Sequence, residues 1–252
     1  MPEHTLAAYL RALEDGADGL ECDVRLTRDG HLVCVHDRRL DRTSNGRGLV
    51  STRTLAELDA LDFGSWHPGT VLPDEPPDPD CTRLLTLDRL LDAVQGRGRP
   101  VRLLIETKHP SRYGGEVERR LVGLLRRYGL TDPAADDPIQ VTVMSFSALA
   151  LRRIRMLAPG LPTAYLLEIL PPGVGRGRLP FGVPIAGPKV ALVRRRPGLL
   201  PALRAAGLQS YVWTVNTEPE LDWVLAQKAD GIITDRPRFV LDRLGSSLQD
   251  PY

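Results

Sequence analysis

Lysine is nearly absent from this chain. Of its 33 basic residues only Lys108, Lys189 and Lys228 are lysine, and the rest are arginine. Excess charge is missing as well, with 33 basic against 32 acidic side chains, so the attraction that drives nucleic-acid binding has no source here. No apolar run approaches the roughly 18 to 20 residues needed to cross a bilayer. The opening MPEHTLAAYLRALEDG carries charges where a signal peptide would have its apolar stretch. These absences predict a chain without stable membrane insertion that, as written, stays in the cytoplasm. The three cysteines, Cys22, Cys34 and Cys81, lack metal-type spacing and are an odd number, which suits structural thiols in a reducing compartment. Repeats and low-complexity tracts are also missing.

What is present is ordinary globular composition, 42% hydrophobic and 26% charged over 252 residues, which excludes disordered and fibrous classes. Short β-branched or leucine-rich runs alternate with stretches of helical period, the pattern of βα units around a parallel sheet. Strands are predicted at Gly19 to Leu26, Leu32 to His36, Val101 to Lys108, Gln140 to Ser145, Thr163 to Leu167, Val190 to Val193, Ser210 to Val215 and Gly231 to Thr234. Helices are predicted at Leu6 to Asp15, Leu87 to Val94, Glu116 to Tyr128, Ser147 to Leu157, Gly198 to Ala206 and Glu218 to Gln227, the last with a cap at Thr217 and Pro219 in its first turn. Two stretches break the rhythm: Asp37 to Arg83, which includes the run PDEPPDPD, and Pro171 to Pro188, rich in Pro and Gly. The expectation is one domain, residues 1–252, with an insertion at about 37–83. A count near eight at this length fits a (β/α)8 TIM barrel. A doubly wound sheet is the rival, but no Gly-rich dinucleotide or phosphate-loop motif follows any strand.

Chemistry concentrates at three places. Glu21 and Asp23 sit two residues apart in a predicted strand, hence on one face, with Leu20, Cys22 and Val24 on the other. By itself this segment is equally an exposed strand face with solvated acids. Glu106 closes an apolar strand, where barrel enzymes place catalytic groups, and Lys108 follows on the same face. Three carboxylates from two strands at one rim make an oxygen-rich site suited to a hard divalent cation, Mg²⁺ or Ca²⁺, with Lys108 as a point charge for an anionic substrate. His36 ends an apolar strand beside Asp37, a placement for proton transfer.

These residues resemble a known family, the glycerophosphodiester phosphodiesterases. The resemblance rests on Pro2-Glu3-His4-Thr5, Gly16-Ala17-Asp18, Glu21-Cys22-Asp23-Val24, Thr27-Arg28-Asp29-Gly30, His36-Asp37 and Arg42-Thr43. It continues in the same order with Leu85-Thr86-Leu87, Ile105-Glu106-Thr107-Lys108, Ser145-Phe146, Trp213-Thr214-Val215-Asn216 and Asp230-Gly231-Ile232-Ile233-Thr234-Asp235. It implies a (β/α)8 barrel with a small insertion after the second strand and a divalent metal on Glu21, Asp23 and Glu106. It also implies Lys108 at the phosphate in a catalytic and substrate-binding role, and His36 as one of two acid/base histidines. Trp213 would be a rim wall for the substrate's alcohol portion, although a plain core tryptophan reads equally well. The implied reaction is metal-dependent hydrolysis of a small-molecule phosphodiester to glycerol 3-phosphate and an alcohol. The alternatives are a lyase that stops at a cyclic phosphate, or an impaired relative that binds metal and a phosphorylated ligand.

One departure stands out. The family's first strand ends in His-Arg-Gly shortly before the Pro-Glu-Asn-Thr block, and here Met1 directly precedes Pro2. The expectation is a barrel without its first strand, one acid/base histidine and one phosphate-binding arginine, with a true start some tens of residues upstream, in which case secretion is not excluded. Neither His4, in the family's asparagine position, nor His109 is expected to replace that histidine, and His31 and His67 are expected in solvated turns. Oligomeric state is not legible.

Overall fold

A computed structural model describes residues 1–70, 78–134 and 137–249. The chain opens with α1 (Leu6–Glu14), capped by Thr5, whose hydroxyl accepts from the Ala8 amide, and buries Leu6, Tyr9 and Leu13. β1 (Gly19–Leu26) follows and turns back at Thr27–His31 into β2 (Leu32–Cys34), which pairs antiparallel with Val24 opposite Cys34. The next stretch, expected to be irregular, holds two short helices, α2 (Leu55–Asp59) and α3 (Pro79–Thr82). It has a small core of its own, in which Leu40, Val50, Leu58, Phe63 and Leu84 meet Val33 and Val35. Residues 71–77, which include the first five of the PDEPPDPD run at 73–80, lie outside the described residues.

From there helices and strands alternate: α4 (Leu87–Val94), β3 (Val101–Thr107), α5 (Glu116–Arg127), β4 (Ile139–Ser145), α6 (Ala148–Leu157), β5 (Thr163–Leu167) and β6 (Ile185–Pro188). The chain ends with α7 (Val190–Arg195), α8 (Leu199–Ala205), β7 (Gln209–Val212), α9 (Glu218–Ala226), β8 (Gly231–Ile232) and α10 (Pro237–Gln249). The strands form one sheet in the order β2-β1-β3-β4-β5-β6-β7-β8, parallel except for the β1–β2 hairpin. Residues on one face of the strands, such as Leu103, Ile105, Val141 and Val143, pack under the helices. The opposite face brings Leu104, Met144, Ala164, Leu166, Ile185 and Tyr211 into one cluster. Side chains from β3 through β7 meet in this way only if the sheet curls around them, so the architecture is barrel-like.

Eight strands agree with the expected number, but one of them is the hairpin strand β2. Among the described residues no pairing joins β1 to β8, and that seam is where the family's first strand would pair. A second correction concerns Val190 to Val193, expected as a strand and found in α7. The strand lies just before it, in Ile185–Pro188, inside the Pro- and Gly-rich stretch expected to be irregular. Short apolar runs do not declare their period, and here backbone approach decides. A Cβ on Gly187 would come within 2.6 Å of Leu166 Cδ2, so the Leu166 side chain packs over the bare Cα of Gly187 where β6 pairs with β5. Pro188, with no amide hydrogen, then ends the strand. Helix α10 was not expected either, whereas the capping box at the start of α9, Thr217 with Glu220, is present.

Candidate active site

The parallel register that sets Asp23 beside Glu106 brings the acids of β1 and β3 together. Glu21, Asp23 and Glu106 each offer a carboxylate oxygen, and these atoms lie within 4.8 Å of one another. Lys108 stands between them, its Nζ 2.9 Å from Asp23 Oδ1 and 3.0 Å from Glu106 Oε2. Asp23 and Glu106 are buried, Glu21 half-buried. The expectation that Lys108 shares a face with Glu106, and Glu21 with Asp23, agrees with this geometry, while Leu20, Cys22 and Val24 join the helix-covered core.

Electrostatics divides the acids. Burial works against an ionised Asp23, but the hydrogen bond from His4 and the charge of Lys108 outweigh it and hold this carboxyl below the ordinary range. Burial and then the neighbouring Asp23 charge push Glu106 up to about 8, with Lys108 pulling the other way. Glu21 is pushed well up, first by burial and then by Asp23 and Glu106. Lys108 is raised, because the two carboxylates outweigh its burial. One charge on Asp23 is thus matched by one on Lys108, and the remaining acids resist ionisation. Lys108 is the partner of Asp23 Oδ1, at 2.9 Å, and of Glu106 Oε2, at 3.0 Å. Three carboxylate oxygens gathered within 4.8 Å form the all-oxygen donor set that suits a hard divalent cation.

His4 also belongs to this cluster, a contact not anticipated from sequence. Its Nε2 lies 3.0 Å from Asp23 Oδ2 and its Nδ1 2.6 Å from the Tyr9 hydroxyl. The residue sits at φ 55° just before α1, a left-handed conformation that histidine and asparagine adopt more readily than most. The family's asparagine at this position was the available signal.

His36 is exposed at the end of the β2 segment, its Nδ1 2.8 Å from Asp37 Oδ1 and its carbonyl accepting from Arg25. Asp37 accepts 2.7 Å from Arg42 Nε, and Arg42 forks onto both oxygens of Glu3 at 2.7 Å. The Arg42 hydrogen bond, against a smaller burial effect, brings Asp37 down to about 2. This run from Glu3 to His36 ties the start of the chain to the loop after β2. A cleft lined by Glu3, His4, Thr43, Arg83 and His36 lies between them.

Trp213 follows β7, half-buried, with its indole donating 2.6 Å to the Gly187 carbonyl and its ring edge-to-face with Phe146 at 5.5 Å. Lys189 Nζ lies 5.4 Å from the same ring and 2.7 Å from Glu168. Phe146, Glu168, Lys189 and Trp213 succeed β4, β5, β6 and β7, so they occupy the C-terminal rim that also carries Glu106 and Lys108. His109 pairs with the buried Glu118 on α5 at 2.6 Å, and His31 lies exposed in the hairpin turn; neither joins the acidic cluster. His67, expected to be solvated, is half-buried beside Pro68. Among the described residues no helix is long and apolar enough to cross a membrane.

Comparison with known proteins follows the same lines. Residues 1–239 match the model of the glycerophosphoryl diester phosphodiesterase family. The chain is 50% identical over 222 residues to "Probable glycerophosphodiester phosphodiesterase 1" of Mycobacterium tuberculosis, covering 88% of this chain and 80% of that one. It is 32% identical over 241 residues to a glycerophosphodiester phosphodiesterase of Bacillus subtilis, covering 94% and 80%. The crystal structure of the glycerophosphodiester phosphodiesterase from Agrobacterium tumefaciens superposes with TM-score 0.72 at 29% identity, over 95% of this chain and 94% of that one. An Oleispira antarctica phosphodiesterase, solved with its product sn-glycerol-3-phosphate, shares the fold with TM-score 0.80 at 23% identity, over 97% and 92%. Acids, lysine and histidine on the rim of a barrel-like sheet and an almost full-length family match lead to one assignment: the chain belongs to the glycerophosphoryl diester phosphodiesterase family.

Proposed function

We propose that this chain hydrolyses glycerophosphodiesters to glycerol 3-phosphate and an alcohol, with a divalent cation, Mg²⁺ or Ca²⁺, held by Glu21, Asp23 and Glu106. The observation that carries the reading is three carboxylates crowded within 4.8 Å, two of them paired with Lys108. Such a cluster costs stability unless a cation uses it. When bound there, a hard cation supplies charge neutralisation to the phosphoryl oxygens.

The chain's own residues supply the rest. Asp37, ionised by its pairing with Arg42, accepts the Nδ1 proton of His36, so Nε2 is the ring atom left to take or give a proton. Lys108 presents a point charge to the phosphate. Trp213, pinned by the Gly187 carbonyl and Phe146, forms a wall for the alcohol portion. Attack by the substrate's neighbouring hydroxyl on phosphorus would break the bond to the alcohol, which leaves with a proton, and give a cyclic phosphate that water then opens to glycerol 3-phosphate.

The test is release of glycerol 3-phosphate from glycerophosphodiesters by the purified chain, with and without chelator, while ³¹P NMR follows any cyclic phosphate. Chelator-sensitive release supports the reading, and release indifferent to chelator rejects it. Accumulation of the cyclic phosphate alone would make the protein a lyase. A second reading, binding of metal and a phosphorylated ligand with slow turnover, is favoured by one observation: both ring nitrogens of His4 are engaged. His36 is therefore the histidine of this cluster region whose Nε2 is unengaged.

A further inference from the structure

Beyond the acidic cluster, the segment from the end of β4 to the start of β6 carries large apolar side chains into solvent. Ile169 is 76% exposed, Leu149 56%, Phe181 48% and Phe146 40%. They lie on one sector of the molecule. Phe146 leads into α6 and Leu149 lies in its first turn, Ile169 follows β5 beside it, and the 3₁₀ turn Pro180–Gly182 packs on α6. Phe181 is held at φ 54°, a conformation a bulky side chain adopts only at a cost. Its ring, only half covered, lies 5.4 Å from the Arg152 guanidinium. Folding alone gives little reason to keep an aromatic ring in that position.

The charge of the same sector is one-sided, although the whole chain is balanced. Residues 146–184 contain five arginines, at 152, 153, 155, 176 and 178, against one acid, Glu168. Glu168 is already paired with Lys189 at 2.7 Å. Arg153 reaches Glu118 at 3.8 Å, while Arg152, Arg176 and Arg178 are exposed.

We propose that this sector docks on an anionic lipid bilayer. Protruding aromatic and aliphatic side chains on loops, ringed by arginines, are what a peripheral surface needs to enter the headgroup layer of such a bilayer. A protein partner would be met better by a groove or a flat apolar face, and these side chains stand out separately. Phe146 links this sector to the rim through its edge-to-face contact with Trp213.

Co-sedimentation of the full chain with vesicles tests this, using phosphatidylcholine mixed with phosphatidylglycerol and phosphatidylcholine alone. The chain should pellet with the mixed vesicles, and added salt should release it. The double variant Phe181→Ser, Ile169→Ser should bind at least about tenfold less, since two apolar side chains no longer insert. Arg152→Gln with Arg155→Gln should weaken binding by about fivefold per charge. Unchanged thermal unfolding of each variant shows that the fold is kept. The proposal is overturned if the wild type stays in the supernatant with anionic vesicles, if it binds neutral vesicles equally well, or if the apolar variants bind like the wild type. Self-association abolished by Phe181→Ser would make a second copy the occupant and also overturn it. Vesicle binding requires no turnover, so this outcome is independent of the hydrolase reading.

Discussion

Loading the acidic cluster with a divalent cation should expel protons, and the number follows from the structure. With Glu106 at about 8, about nine-tenths of the protein carries a proton there at pH 7, by the ordinary titration relation. Glu21 is displaced in the same direction, whereas Asp23 is ionised, being held by His4 and Lys108. A cation needs all three as carboxylates, so binding at pH 7 should release between about 1 and 2 protons. Affinity for Mg²⁺ or Ca²⁺ should therefore rise about tenfold for each proton released as pH goes from 6 to 7, and the share due to Glu106 should level off above about 8. Calorimetric titration in buffers of different ionisation enthalpy measures the proton count directly, and the series from pH 6 to pH 9 gives the slope. Glu106→Gln should remove most of the pH dependence together with most of the affinity. Tight binding with no proton release and no pH dependence between 6 and 8 would falsify the account of three mutually repelling carboxylates.

Three further outcomes follow from the same geometry. Glu106 has a folded-state value above its unfolded one, so its contribution to stability is complete below about pH 4.5 and is lost as pH rises toward about 8. In the metal-free protein Glu106→Gln should accordingly gain about 2 to 3 kcal/mol at pH 7 by urea unfolding; a loss of stability would mean that Glu106 is more favourable as a charge than its burial indicates. His36→Ala should lower glycerol 3-phosphate release by about 10²- to 10⁴-fold while metal affinity from calorimetry stays near the wild-type value; a matching fall in affinity would move His36 into the metal site. Trp213→Ala should raise KM for diesters with bulky alcohols more than for small ones, and an equal change for both would make Trp213 a core residue that does not read the alcohol.

Much of the site was legible because local periodicity sets which side chains share a face. Alternation put Glu21 with Asp23 and separated them from Leu20, Cys22 and Val24, and it aligned Glu106 with Lys108. The His36–Asp37 pair is a neighbour contact and needs no fold to be suspected. Helices such as Leu87–Val94 were marked by their apolar stripe, and α9 by its cap. Tertiary structure alone decided the rest. The strand at Ile185–Pro188 has too little pattern to identify itself and exists because β5 and β7 lie on either side of it. His4 reaches Asp23 across 19 residues and Arg42 reaches Glu3 across 39, distances over which a sequence carries no register. Which acid keeps its charge likewise depends on where Lys108 and His4 end up. Spacing along the chain specifies direction within a strand; only the pairing of strands and the curl of the sheet specify who stands opposite, and electrostatics acts between those partners.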